Sequence, residues 1–129
     1  MKTLDIHTTK RIEFIDITSQ IERLIHQEKI EDGICVVFCP HTTAAVTINE
    51  NADPSVVRDI NHQLSKLIPE GRGYSHMEGN ADSHIKSSLT GSSLNIIVEK
   101  KALVLGTWQG IYFCEFDGPR RRMVYVKVK

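Results

Sequence analysis

Two stretches of this 129-residue chain carry residues whose types and spacing can do chemistry. His41-Thr42-Thr43 follows a proline, and His76-Met-Glu-Gly-Asn-Ala-Asp-Ser-His84 sets two histidines on either side of a Gly-Asn turn signal. Imidazole is the commonest protein ligand for a borderline metal ion. Three of them leave an open coordination position where water or substrate can be activated. The spacing matches neither a zinc-finger pattern nor a His-Glu-x-x-His helix. Two readings therefore stand side by side: a metal site on His41, His76 and His84, or solvated and hydrogen-bonded histidines in a chain that holds six.

Other candidates have a structural reading beside the chemical one. Asn51 and Asp53 precede Pro54 and suit a helix cap, but they would also serve a site beside the histidines. Asp53 or Glu78 could take a proton from an attacking water. Thr42 and Thr43 offer hydroxyl groups to a substrate. Trp108, the single tryptophan, is flanked by Thr107 and Gln109 in a glycine-rich turn, where it packs as an anchor or walls a pocket for a planar ring. Arg120, after Asp-Gly-Pro, is a solvated turn residue or an inward anion clamp. Cys39 stands two residues from His41, as a buried thiol or a neighbour of the metal.

The elements that must position these residues follow from periodicity. Residues 2 to 15 alternate as two short strands, expected to form a hairpin turning near Thr8-Thr9. Ile17, Ile21, Leu24 and Ile25 recur at helical spacing, with Ser19 and Glu22 as a capping box, and predict a helix over about 18–29. Ile34-Cys-Val-Val-Phe-Cys is a near-continuous apolar run between Gly33 and Pro40, expected as a central strand covered on both faces. Ala44 to Asn49 is β-rich. Val57, Ile60, Leu64, Leu67 and Ile68 stripe a second helix from 54 to about 67. Asn80 is placed to cap a short helix over Ala81 to Leu89, whose start could also hold an anion. The last forty residues read as three to four strands.

Composition bounds the rest. At 129 residues, with 40% hydrophobic and 25% charged side chains, the chain suits one soluble domain with a real core. Sixteen basic and sixteen acidic residues cancel, so no global field draws it to nucleic acid or to a membrane. Met1 leads straight into Lys-Thr-Leu-Asp-Ile-His without an apolar leader, and the expected location is cytoplasmic. Three cysteines, an odd number, argue against a disulfide framework.

The whole chain resembles the small YjbQ-type proteins, often labelled secondary thiamine-phosphate synthase enzymes. The likeness rests on His41-Thr-Thr-Ala, Glu50-Asn-Ala-Asp-Pro, His76-Met-Glu-Gly-Asn-Ala with His84, Leu105-Gly-Thr-Trp-Gln-Gly-Ile and Glu115-Phe-Asp-Gly-Pro-Arg. Lys101 departs from it, standing where a glycine is expected. The resemblance implies a single α+β domain over 1–129, with antiparallel β-sheet and two to three helices, assembling as a homotrimer. It implies zinc or a similar divalent ion on His41, His76 and His84. The activity implied joins hydroxymethylpyrimidine diphosphate to thiazole phosphate. Magnesium is the usual partner of a diphosphate, whereas three imidazoles suit zinc. Substrate contacts would come from Thr42, Thr43, Asn51, Asn80, Trp108, Gln109 and Arg120. A zinc-dependent hydrolase of a small phosphorylated metabolite, or a trimer that only binds metabolite or metal, are the alternatives.

Overall fold

In the computed structural model, which describes residues 1–129, the chain is an α+β domain of eight strands and three helices. Strands β1 (Lys2–His7), β3 (Gly33–Phe38), β5 (Ser93–Glu99), β6 (Ala102–Leu103) and β8 (Arg121–Val128) form one antiparallel sheet in the order β1-β8-β3-β5-β6. Strands β2 (Glu13–Asp16), β4 (Ala44–Glu50) and β7 (Gln109–Glu115) form a second, in the order β2-β7-β4. The main core lies between them. Ile6, Cys35, Val37, Ile96, Val98, Val124 and Val126 meet Val46, Ile111 and Phe113, and Ile21 and Ile25 of helix α1 (Thr18–Glu28) join them with Ile17, the residue just before it. A smaller cluster of Ala45, Tyr112, Cys114 and Phe116 packs with Phe14 and with Val57 and Leu64 of helix α2 (Pro54–Leu67).

Three local expectations are corrected. No hairpin joins β1 to β2, because β1 pairs with β8 and β2 with β7, in different sheets. The segment between them instead ties to the β7–β8 turn, where Thr8 Oγ1 donates to Glu115 Oε1 at 2.8 Å and accepts from the Arg120 amide at 2.9 Å. A side chain at Gly118 would run into the Lys10 carbonyl and Thr8, so the close approach of these two turns needs glycine there. Second, α1 starts without a Ser19–Glu22 box, since the Asp16 carboxylate takes both the amide and the hydroxyl of Thr18. Third, β3 is covered on one face only. Cys35 and Val37 are buried, whereas Ile34, Val36 and Phe38 face out, with Phe38 stacked on Tyr125 across β8.

All three helices meet their expected bounds closely. Asp53 caps α2 by accepting from the Ser55 amide at 2.9 Å, with Pro54 at the first helical position. Helix α3 (Ala81–Thr90) stops at Gly91 and packs against β4. No helix is long and apolar enough to cross a membrane.

A candidate metal and anion site

His41 leaves the end of β3 just after Pro40, and His84 sits in the first turns of α3. His76 lies in the loop between α2 and α3. All three line one cleft of about 370 Å³, together with Thr42, Thr43, Glu78, Asn80, Asp117, Arg120 and Arg122. Pro40 is the one apolar side chain that lines it. A second cleft of about 400 Å³ shares His41, Thr42 and His84 with it and is walled by Ser87, Ser88 and Ser92.

The His41 ring is fixed by the backbone of β8. Its Nε2 lies 3.1 Å from the Met123 carbonyl oxygen and 3.0 Å from the Met123 amide nitrogen. Either tautomer therefore uses Nε2 on the protein and leaves Nδ1 without a protein partner. Burial and the Arg122 charge push the imidazole below the usual histidine range, so it is neutral and able to accept a metal bond.

His76 and His84 stand edge to face, with ring centroids 5.1 Å apart. Two imidazoles on one tetrahedral zinc, with zinc–nitrogen bonds of about 2 Å, place their centroids roughly 5 Å apart. The pair has that centroid spacing. A third donor does not close on it: no three histidine, cysteine, aspartate or glutamate side chains surround one point. The nearest carboxylate to the pair is Glu78, 4.0 Å from His76, on an exposed loop.

Beneath the cleft lies a buried ion pair. The Glu115 carboxylate has no exposure and accepts from Thr8 Oγ1, from Arg122 Nε at 2.9 Å and Nη2 at 2.6 Å, and from the amides of Phe116 and Asp117. Arg122 also donates to Thr43 Oγ1 at 2.8 Å, which anchors the His41 loop to β8. Asp117 accepts from Asn80 Nδ2 and Arg120 Nη2, both at 2.8 Å. Asn80 is the residue before α3, but its side chain makes no capping bond. It turns to Asp117 instead, and its Oδ1 is enclosed without a partner.

Of the residues singled out from sequence, His41, Thr42, Thr43, His76, Glu78, Asn80, His84 and Arg120 line this cleft, and Asn51, Asp53, Trp108 and Gln109 do not. The reason is strand length. Strand β4 runs seven residues from the His41 loop to Asn51, and β7 runs seven from Gln109 to Glu115. At roughly 3.3 Å per residue the two ends are some 20 Å apart. At the far end, Asn51 packs over Gly110 and donates to Asp16 at 3.0 Å, while Gln109 accepts from the Gly106 amide at 2.8 Å. Trp108 is 62% exposed there, so within one chain it walls no pocket with the histidines. Asp53 is a cap at the start of α2. Cys39 is buried outside the cleft lining, and burial pushes its thiol up to about 11. Arg122, Glu115 and Asp117 were missed by the sequence reading. Glu115 and Asp117 stand in the Glu115-Phe-Asp-Gly-Pro-Arg motif, which could have pointed to them, and for Arg122 charge within an alternating strand was the only signal.

Fold and cleft together define a small two-sheet protein with a hydrophilic, histidine-lined pocket at one end of its strands. Residues 2–129 match the family described as UPF0047 protein YjbQ-like, and the chain belongs to that family. It is 58% identical over 123 residues to a UPF0047 protein of Methanocaldococcus jannaschii, covering 95% of this chain and 89% of that one. Over 129 residues it is 53% identical to the UPF0047 protein YugU of Bacillus subtilis, covering 99% and 98%. The crystal structure of an uncharacterized conserved protein of the YjbQ/UPF0047 family from Clostridium acetobutylicum is 53% identical and covers all of both chains, with a TM-score of 0.98. That of a protein of unknown function from Sulfolobus solfataricus is 32% identical and covers 98% and 94%, with a TM-score of 0.94.

Proposed function

We propose that the cleft binds a divalent metal ion, zinc by its donor chemistry, together with a small phosphorylated metabolite, and that the protein is a metal-dependent enzyme acting on that metabolite. The observation that carries this reading is the His76–His84 pair at 5.1 Å on the same cleft as His41. His76 and His84 would hold the ion, with His41 Nδ1 as the remaining donor on the cleft. A zinc ion there would act as a Lewis acid toward a phosphoryl oxygen. The chain's own residues supply orientation: Met123 sets the His41 ring, and Thr42 and Thr43 border the ligand. Glu78 is the carboxylate able to take a proton from a nucleophile, in place of the distant Asp53.

The lining favours a hydrophilic ligand over a heteroaromatic one. With Pro40 the only apolar side chain and no phenylalanine, tyrosine or tryptophan in the first cleft, hydrolysis of a phosphate ester suits this site better than joining a pyrimidine to a thiazole. The thiamine-phosphate synthase reaction is retained as a second reading because the adjoining cleft offers room for a second substrate. Magnesium would then accompany the diphosphate. We also propose a homotrimer closed through the outer face of β3, β5 and β8, supported by the apolar Ile34, Val36, Phe38 and Ile97 exposed on it. Three free buried cysteines suit a reducing cytoplasm.

Metal analysis of the purified protein is expected to find about one zinc per chain, with His41→Ala, His76→Ala and His84→Ala each weakening binding at least tenfold. Unchanged metal content in all three variants would overturn the reading. Zinc-loaded protein is expected to release phosphate from some member of a phosphomonoester panel. Product from the two thiamine precursors alone, with magnesium present, would select the synthase instead. Tight binding without turnover in either assay would reduce the protein to a binding module.

A further inference from the structure

Two arginines line the histidine cleft, and their surroundings differ. Arg120 is half-exposed and spends Nε and Nη2 on Asp117, at 2.7 Å to its carbonyl and 2.8 Å to its carboxylate. Arg122 is only 7% exposed, and its Nε and Nη2 are held by Glu115 and Thr43. Of the five donors on a guanidinium, the two on Nη1 remain. Nη1 has no protein partner, and it is not among the enclosed polar atoms that lack one.

We propose that Arg122 Nη1 is the donor that holds the anionic oxygens of the ligand, with Glu115 as a positioning residue. The ligand is a tetrahedral oxyanion on a small hydrophilic carrier, a phosphate monoester. This rests on the reading of the cleft given above and names the group that selects the phosphate. A guanidinium fork clamped on two sides by a buried carboxylate and a threonine is set before the ligand arrives. Little side-chain freedom remains to be lost on binding. Arg122 also adjoins Met123, whose backbone fixes the His41 ring, so one short stretch of β8 places the anion and the imidazole together. Glu115 neutralises the Arg122 charge, while Glu78 and Asp117 add negative charge to the cleft wall. Selection then comes from directed hydrogen bonds more than from net charge, and phosphate binding should depend only weakly on salt.

The test is calorimetric titration of zinc-loaded wild type, Arg122→Lys and Arg120→Ala with inorganic phosphate and with glycerol 3-phosphate. Lysine keeps the charge toward Glu115 and loses the open end of the fork. Arg122→Lys is expected to weaken both ligands at least tenfold, and Arg120→Ala to weaken them less. In wild type, the guanidinium resonances of Arg122 are expected to shift as phosphate is added, a readout that holds even if the lysine variant does not fold. Equal affinity in Arg122→Lys and wild type, loss confined to Arg120→Ala, or unmoved Arg122 resonances in phosphate-bound wild type would each overturn the proposal and leave the cleft reading intact. Wild type that binds neither ligand would bring down the cleft reading and this assignment with it.

Discussion

Helix α2 has fourteen residues and an apolar stripe, yet it buries none of them, while α3, ten residues rich in serine and charge, buries Ala81, Asp82, Ser83, Lys86 and Ser87. The stripe of α2 rests on the smaller sheet through Val57 and Leu64 and leaves Leu67 68% exposed. Helix α3 is held by directed bonds. Arg11 grips Asp82 with both terminal nitrogens, at 3.0 and 3.2 Å, Lys86 reaches the same carboxylate at 3.1 Å, and the Ser83 hydroxyl donates to the Phe116 carbonyl at 2.5 Å. Apolar contact fixes that a helix is covered but hardly its rotation, because it has no direction. Hydrogen-bonded charges fix the rotation as well. The helix that carries His84 is the one held that way.

Five measurements would break or sharpen this contrast. Asp82→Ala strands the wholly buried Lys86 and leaves Arg11 only Glu70 and Ser83, and is expected to cost about 3–5 kcal/mol in urea unfolding. A loss below about 1 kcal/mol would remove the distinction between the helices. Acid should act through the same group. Burial alone would raise the Asp82 carboxyl, but bonds from Arg11 and Lys86 outweigh it and hold the carboxyl below the ordinary range. A carboxyl depressed in the folded state adds stability that is complete above about pH 4 and is lost as pH falls through its native value. Unfolding free energies followed below about pH 5 should therefore fall less steeply in Asp82→Asn than in wild type. Lys86→Met, which leaves Asp82 its Arg11 partner, is expected to cost about 1–3 kcal/mol. Leu64→Ala on α2 should cost about 1–2 kcal/mol, below the range for a fully buried leucine. Leu67→Ser should stay within about 0.5 kcal/mol.

Residue type and nearby proline, glycine and asparagine turn signals brought His41, His76 and His84 forward, and the fold sets all three on one cleft. The same signals placed α2 and α3 within a residue or two. Pairing over distance was not legible. Glu115 and Arg122 meet across a turn, and Arg11 and Asp82 meet across most of the chain, so sequence shows four charges and no partners. Trp108 and Asn51 were grouped with the histidines because motif order carries no length scale, whereas β4 and β7 impose one. The apolar run in β3 suggested cover on both sides because hydrophobicity does not say which neighbour supplies it.

That open side of β3 has a thermodynamic corollary. Ile34, Val36 and Phe38 leave roughly a third to a half of their surface uncovered in an isolated chain. If copies close over them, part of the folding free energy belongs to the assembly and obeys mass action. Dilution would then lower the melting midpoint with no change of solvent, and the least crowded sample would be the most fragile.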